Sequence, residues 1–215
     1  MAVPIVPIVV TDFDGTLAVE DVGDALCERF AHESWHDIER QYARGELSLP
    51  AAQRGMWSLV QATEAELRAH AIEIGALRAG ATELFEAAQS GRIELVIASG
   101  GFDFYIRELL SEQLRHVRAA YYNNLAVTEL GLQLEFPHAD LACARCAVCK
   151  GNALRKHIDN GRRVLFCGDG TSDRCAVGVA PELWAVAGSE LARYCRELGA
   201  EHREFEDYRE VLSVL

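Results

Sequence analysis

Residues 5–10 (IVPIVV) run straight into Asp12-Phe13-Asp14-Gly15-Thr16-Leu17, and no other stretch constrains the fold as tightly. The run is short, apolar, rich in β-branched residues and stopped by an acidic turn, which is the pattern of a buried strand. Two carboxylates then stand at the mouth of that strand, two residues apart. One can attack as a nucleophile while the other moves a proton. Packing does not call for two acids there, because burying unpaired charge is costly. An Asp-Gly turn closed by an Asx hydrogen bond is the bland alternative for this motif taken alone.

Three further pieces complete a set. Residues 93–98 form a second apolar run, ending in Ser99-Gly100-Gly101. Lys150 opens a helix-like stretch over 151–158, and residues 164–167 lead into Gly168-Asp169-Gly170-Thr171-Ser172-Asp173. Ligands of open α/β sheets bind outside the carboxyl ends of the strands, where all four pieces fall. In the order DFDGT, SGG, Lys, GDGTSD, the chain resembles the haloacid dehalogenase-like phosphatases nearly end to end. Any one piece is a weak signal, and the four in order are a strong one.

The fold class expected is α/β, a doubly wound parallel sheet of the Rossmann-like kind, since strands alternate with helices along most of the chain. The alternation is interrupted early. Residues 24–32, 35–44, 50–61 and 64–74 each carry apolar residues at helical spacing, separated by short breaks such as Gly45-Glu46. A helical insertion directly after the first strand resembles the small cap of the phosphoserine-phosphatase branch. This divides the chain into a core over 1–17 and 79–215 and a cap over 18–78. In the core, helices are expected over 79–89, 102–114, 173–179, 190–198 and 208–215. Strands are expected over 119–127, 132–136, 183–187 and 203–205, the first two forming a hairpin across 129–131.

At 215 residues, half of them hydrophobic, the chain supports one core domain and a modest insertion. No apolar run is long enough to span a bilayer. The formal charge of −12 opposes non-specific binding to nucleic acid or anionic membranes. The apolar start has neither a basic region nor a small-residue cleavage site, so a signal peptide is not expected. Seven cysteines, an odd number, suit a reducing cytoplasm better than a disulfide framework.

The resemblance implies a phosphomonoesterase working through an aspartyl-phosphate. A carboxylate nucleophile splits a difficult hydrolysis into two easier steps, and Asp12 is the residue expected in that role. Asp14 is expected to protonate the leaving oxygen and then to activate water. True haloacid dehalogenases keep the nucleophile and lack this second acid. Asp12, Asp14, Asp169 and Asp173 would repel one another and a phosphate dianion, and Mg²⁺ relieves both problems. By resemblance, Asp12, Asp169 and the backbone carbonyl of Asp14 are ligands, while Asp173 holds a metal-bound water or orients Lys150. Asp173 as a plain helix cap is the alternative. The Ser99 hydroxyl, the Gly100 and Phe13 amides and Lys150 are the expected phosphate-binding groups.

The cap should choose the leaving group of a small-molecule phosphomonoester. Glu20 and Asp21 follow the catalytic loop, and Arg54 lies where phosphoserine phosphatases place an arginine for the substrate carboxylate; ordinary surface charge is an equal alternative for all three. The stretch Phe136-Pro137-His138 with Cys143, Cys146 and Cys149 running into Lys150 resembles the methionine-salvage phosphatases acting on 2-hydroxy-3-keto-5-methylthiopentenyl-1-phosphate. It also resembles the animal phosphoethanolamine and phosphocholine phosphatases. The three thiols and His138 could bind zinc, whose structural sites are built from such sets. Burial as small apolar groups, or a redox-labile thiol cluster, is the alternative. A phosphomutase and a non-catalytic binding protein on the same fold are the remaining functional alternatives.

Overall fold

β1 (Ile8–Thr11) is the middle strand of a seven-stranded sheet of order β4-β3-β2-β1-β5-β6-β7 in the computed structural model, which describes residues 6–129, 131–140, 143, 145–158 and 161–215. The expected first strand began at residue 5, which lies outside the described residues. Pro7 cannot donate to a neighbouring strand, and ladder pairing starts at Ile8. β1 pairs in parallel with β2 (Glu94–Phe102) on one side and β5 (Val164–Gly168) on the other. β3 (Val117–Thr128) adds in parallel to β2. β6 (Glu182–Val186) and β7 (Arg203–Phe205) extend the other wing in the same sense. β4 (Gly131–Glu135) alone runs antiparallel, as the outer arm of the hairpin with β3. The chain winds outward one way from β1 and then returns to wind the other way, so the strand order reverses at β1. The crevice at such a reversal is where open α/β sheets bind ligands.

All four residues of β1 are buried, because helices cover both faces of the sheet. Val9, Leu95 and Leu165 point to one face, with Phe85 and Tyr208, while Val10, Val96 and Phe166 point to the other, with Leu154 and Leu191. Each such aliphatic side chain contributes roughly 1.5–3 kcal/mol by leaving water.

Four helices stand between β1 and the rest of the sheet: α1 (Val22–Phe30), α2 (Trp35–Ala43), α3 (Leu49–Trp57) and α4 (Glu64–Ile74). Their boundaries follow from local chemistry. Ser48 caps α3 by accepting from the Ala51 amide, with Pro50 in the first turn. Thr63 and Glu66 form a reciprocal capping box at the start of α4. The ends of the insertion meet, since Ala18 and Leu77 form an antiparallel bridge. Arg78 locks the junction by donating from Nε to the Thr16 carbonyl (2.6 Å) and from Nη2 to the Gly15 carbonyl (2.7 Å).

The core helices are α5 (Ala81–Gln89), α6 (Asp103–Leu109), α7 (Lys150–Arg155), α8 (Glu190–Leu198) and α9 (Tyr208–Leu212). Several ends differ from the sequence expectation: α5 starts two residues late, and α7 closes at Arg155 and not at residue 158. The helix after Ser99-Gly100-Gly101 stops at Leu109, and a separate turn covers Leu114–His116. The acidic loop forms one tight turn over Thr171–Ala176, not a helix to residue 179, because Val177 is already extended and Gly178 takes a positive φ of 76°. α9 likewise closes at Leu212. No described helix is long and apolar enough to cross a membrane.

Candidate active site

The four motifs converge at the carboxyl ends of β1, β2 and β5. The Asp12 amide donates to the Cys167 carbonyl of β5 (2.9 Å), so the strand pairing carries directly into the acidic loop. Gly15 takes φ +69°, and a Cβ there would run into the Asp169 carboxylate. Glycine is needed for the conformation and for the close approach alike. Thr16 donates from Oγ1 to Asp169 Oδ1 (2.6 Å), tying the first acidic loop to the last.

Lys150 is fully buried at the start of α7 and reaches three groups. Its Nζ lies 2.9 Å from Asp12 Oδ2, 3.0 Å from Asp173 Oδ1 and 2.8 Å from Ser172 Oγ. The other Asp173 oxygen accepts from the Asp169 and Gly170 amides at 2.8 and 3.1 Å. Asp173 therefore has both oxygens committed to placing Lys150 and shaping the loop. Burial works against the lysine's charge, but Asp12 and Asp173 hold its pKa well above the usual value. Burial, then repulsion from Asp173, pushes the Asp12 carboxyl up despite the ammonium beside it. Burial and Asp173 push Asp169 up to about 7.

One ammonium faces three carboxylates here, and oxygens of Asp12, Asp169 and Asp173 lie within 4.8 Å of one another. That surplus of negative charge on hard oxygen donors fits a divalent cation.

Asp14 lines the same cavity and is held by a different set of partners. Its Oδ1 accepts from the Val22 amide at the start of α1 (3.1 Å). Its Oδ2 accepts from the Tyr105 hydroxyl (2.8 Å) and from Ser99 Oγ (3.3 Å). Burial, reinforced by Asp21, raises its pKa to about 8, so a large share of Asp14 carries its proton at neutral pH. Ser99 is buried and also accepts from the Gly101 amide (2.9 Å). The Phe13 amide, expected to face phosphate, donates to Asp12 Oδ1 (2.7 Å).

Ser99-Gly100-Gly101 lies within β2, near its carboxyl end. The register breaks between Ala98 and Phe102, so the three residues bulge between regular pairs. The Gly100 carbonyl accepts from Gln53 Nε2 (2.8 Å) and Asn123 Nδ2 (2.6 Å), which hold the bulge from the α3 side and from β3. A Cβ on Gly101 would collide with the Tyr105 hydroxyl and Asp14.

The cavity so formed has a volume of about 350 Å³. Asp12, Asp14, Gly100, Tyr105 and Asp169 line its floor, while Asp21, Asp24, Glu39, Gln53 and Trp57 line the insertion side. No lysine, arginine or histidine lines it among the described residues.

Two sequence expectations are corrected by this geometry. Arg54 does not line the cavity; it is exposed, with its guanidinium carbon 4.6 Å from the Phe136 ring centroid. One helical step separates it from Gln53, which does line the cavity. Glu20 is exposed and absent from the lining, and only its carbonyl contributes, accepting from the Gly15 amide (3.1 Å). Asp21 does reach the cavity, while its Oδ1 also caps α1 by accepting from the Asp24 amide (2.9 Å). His138 stands apart from the thiols, edge-on to Tyr121 with ring centroids 5.3 Å apart.

Sequence reasoning missed Gln53, Tyr105, Asn123 and Ser172. Ser172 was inside a motif already singled out, and its neighbourhood to Asp173 was the available signal. Tyr105 stands one helical turn beyond Gly101, on the helix that follows the motif, while Gln53 and Asn123 reach the site from elements far away in sequence and carry no local mark.

The haloacid dehalogenase-like hydrolase family matches residues 9–177, and the chain belongs to that family. Over 212 residues it is 26% identical to the bifunctional enzyme MtnB/MtnX of Bacillus licheniformis, covering 97% of this chain but 49% of that enzyme. The chain thus spans about half the length of that relative. It is also 26% identical over 208 residues to the 2-hydroxy-3-keto-5-methylthiopentenyl-1-phosphate phosphatase of Bacillus velezensis, covering 95% of this chain and 88% of the other. Among solved structures, a phosphoserine phosphatase holding a phospho-aspartyl intermediate analogue superposes with a TM-score of 0.75 at 21% identity, covering 98% of this chain and 99% of that one. A substrate-bound phosphoserine phosphatase gives 0.75 at 22% identity, with 98% of each chain covered. These neighbours show the fold.

Proposed function

We propose that this hydrolase is a Mg²⁺-dependent phosphomonoesterase that acts on a small metabolite phosphate through an aspartyl-phosphate on Asp12. The observation that carries the reading is the division of labour between the two acids of the first loop. Burial raises both carboxyls, and their partners set them apart. Asp12 lies 2.9 Å from the Lys150 ammonium, which favours its ionised form, while Asp14, raised to about 8, faces the same cavity beside Tyr105, Ser99 and the Val22 amide. A nucleophile needs its carboxylate free of a proton, and a general acid needs to hold one at working pH. In this scheme Asp12 attacks phosphorus and the bond to the leaving oxygen breaks. Asp14 passes its proton to that oxygen, then takes a proton from the water that hydrolyses the acyl phosphate. Asp12 and Asp169, with the Asp14 carbonyl, would hold Mg²⁺, and the ion supplies positive charge against the phosphate dianion. Lys150 steadies the carboxylate, and Asp173 steadies Lys150. The free thiols and the names of the relatives suit a cytoplasmic metabolic enzyme.

The insertion over 18–78 is the part we assign to substrate choice, as a lid over the core formed by 1–17 and 79–215. A cavity of this size beneath a lid that closes on the substrate suits metabolites and excludes a folded phosphoprotein. Likeness to the Bacillus velezensis enzyme favours a methionine-salvage substrate. One observation favours a second reading. The insertion side carries Asp21, Asp24 and Glu39 with no basic residue, which suits a cationic leaving group such as ethanolamine or choline and opposes the carboxylate of phosphoserine.

The test is phosphate release from a panel of these esters, with Mg²⁺ and with EDTA, and with no acceptor present. EDTA-sensitive release is expected, and its absence on every ester would refute the enzyme reading. A phosphomutase would release no net phosphate. Asp12→Asn should lower kcat at least roughly 10³-fold, as for other covalent nucleophiles, with the circular dichroism spectrum unchanged. Near-normal turnover by that variant would exclude the covalent route.

A further inference from the structure

The seven cysteines divide into two groups. Cys27, Cys167 and Cys195 are dispersed through the hydrophobic core, where they pack as small apolar groups. The other four come together. The sulfurs of Cys143, Cys146 and Cys149 lie within 4.8 Å of one another, with Cys143 and Cys146 only 3.3 Å apart. The fourth comes from a distant part of the chain. Cys175 Sγ lies 3.8 Å from Cys146 Sγ, at the edge of the trio and not within 4.8 Å of all three sulfurs. In a tetrahedral zinc–thiolate site, bonds of about 2.3 Å place the sulfurs roughly 3.8 Å from one another.

We propose that Cys143, Cys146, Cys149 and Cys175 form a structural Zn²⁺ site, with Cys175 as the fourth ligand. The donor set decides the ion: four soft thiolates select zinc and disfavour the hard cation suited to Asp12 and Asp169. A complete set of four sulfurs leaves no open position, which marks a structural and not a catalytic centre. On binding, each thiol gives its proton to solvent, and Cys175 gives up its weak contact to the Ser172 carbonyl at 3.6 Å.

The position explains what such an ion would hold. Cys149 immediately precedes Lys150, and Cys175 lies two residues beyond Asp173. α7 and the acidic turn are already so close that a Cβ on Gly151 would come within 2.6 Å of the Cys175 carbonyl. On its other side, the cysteine segment meets the helical insertion, where the Leu49 amide at the start of α3 donates to the Arg145 carbonyl (2.8 Å). A zinc ion here would clamp the lysine-bearing helix to the acidic turn and seat the segment against which α3 rests.

The experiment reads the metal itself. Protein expressed with zinc and purified under reducing conditions should contain about one zinc per chain, the stoichiometry of a single four-thiolate centre. Reconstitution with Co²⁺ should give the intense visible bands of a tetrahedral thiolate complex. Cys175→Ser and Cys146→Ser should each lose most of the zinc and alter the cobalt spectrum, whereas Cys195→Ser should keep both. His138→Ala separates the two possible fourth ligands and should keep its zinc. Circular dichroism confirms that each variant is folded. If a serine variant fails to fold, the cobalt spectrum of the wild type and the His138→Ala result still decide the matter. Three results would overturn the proposal. They are a wild-type chain that binds neither zinc nor cobalt, a disulfide among these four cysteines in freshly purified protein, or zinc retained by Cys175→Ser and lost by His138→Ala.

Discussion

Gln53 and Arg54 are neighbours on α3, and a helix turns roughly 100° from one residue to the next. That rotation separates a side chain in the cavity from one stacked on Phe136 outside it. Gln53 is only 8% exposed, and with its amide nitrogen committed to Gly100 its Oε1 has no partner. An acceptor left free beside a cavity is available to a donor on the leaving group. Gln53→Leu should therefore raise KM for the natural substrate about tenfold, the effect of losing one hydrogen bond of about 1–1.5 kcal/mol. Arg54→Ala should change KM less than about twofold, since it gives up only an exposed cation–π contact of roughly 0.5–1 kcal/mol. Steady-state kinetics on both variants checks this, and the opposite ranking would return the arginine to the site. The carboxylates were legible in the sequence because a strand end fixes where the next two residues point. The polar residue of α3 that faces the cavity beside Leu49, Met56 and Trp57 was not legible. Apolar spacing marks a helix, but which of two adjacent polar residues turns inward depends on the packing of the whole insertion.

At the level of the element, the end of β2 shows why a motif and its conformation are separate pieces of information. Ser99-Gly100-Gly101 reads as the end of a strand, a hydroxyl followed by two glycines, with nothing to say how that end is shaped. It stays in the sheet as a bulge because Gln53 and Asn123 grip one carbonyl from two directions. Neither partner is near in sequence, so no local pattern announces the bulge. The consequence is a crowded junction where Gly101, Tyr105 and Asp14 share one small volume. Gly101→Ala should cost roughly 1–3 kcal/mol of stability, as overpacking does. By displacing Asp14 it should also lower kcat by about 10²-fold, the smaller end of general acid–base effects. Urea unfolding and kcat measured together test the point, and an alanine that leaves both unchanged would show that the junction has slack. The two wings of the sheet, by contrast, were readable throughout, because alternating strands and helices with short connections leave few other folds.

For the molecule as a whole, the cluster of raised carboxylates couples stability to pH. Asp14 and Asp169 stand near 8 and 7 in the folded chain, against about 4 unfolded. The folded protein thus holds protons that the unfolded chain releases above pH 4. Stability of the metal-free form should fall as pH rises from about 4 to about 8. Asp14→Asn removes one such group and should gain roughly 1–3 kcal/mol at pH 8 in EDTA, the scale of an imperfectly compensated buried polar group. Thermal melts across this pH range give the answer, and a wild-type profile that rose toward pH 8 would contradict the assignment. The central place of β1 has a further consequence, for the order in which the chain can assemble during synthesis. The nucleophile's strand leaves the ribosome early, yet one of its two lateral neighbours is β5, and the Asp12 amide waits for the Cys167 carbonyl. At 5–20 residues per second, that wait lasts roughly ten to thirty seconds. Meanwhile the insertion helices, whose contacts are local, are free to form first. During translation the apolar β1 is left in need of shelter, and the catalytic centre is among the last features that the nascent chain can complete.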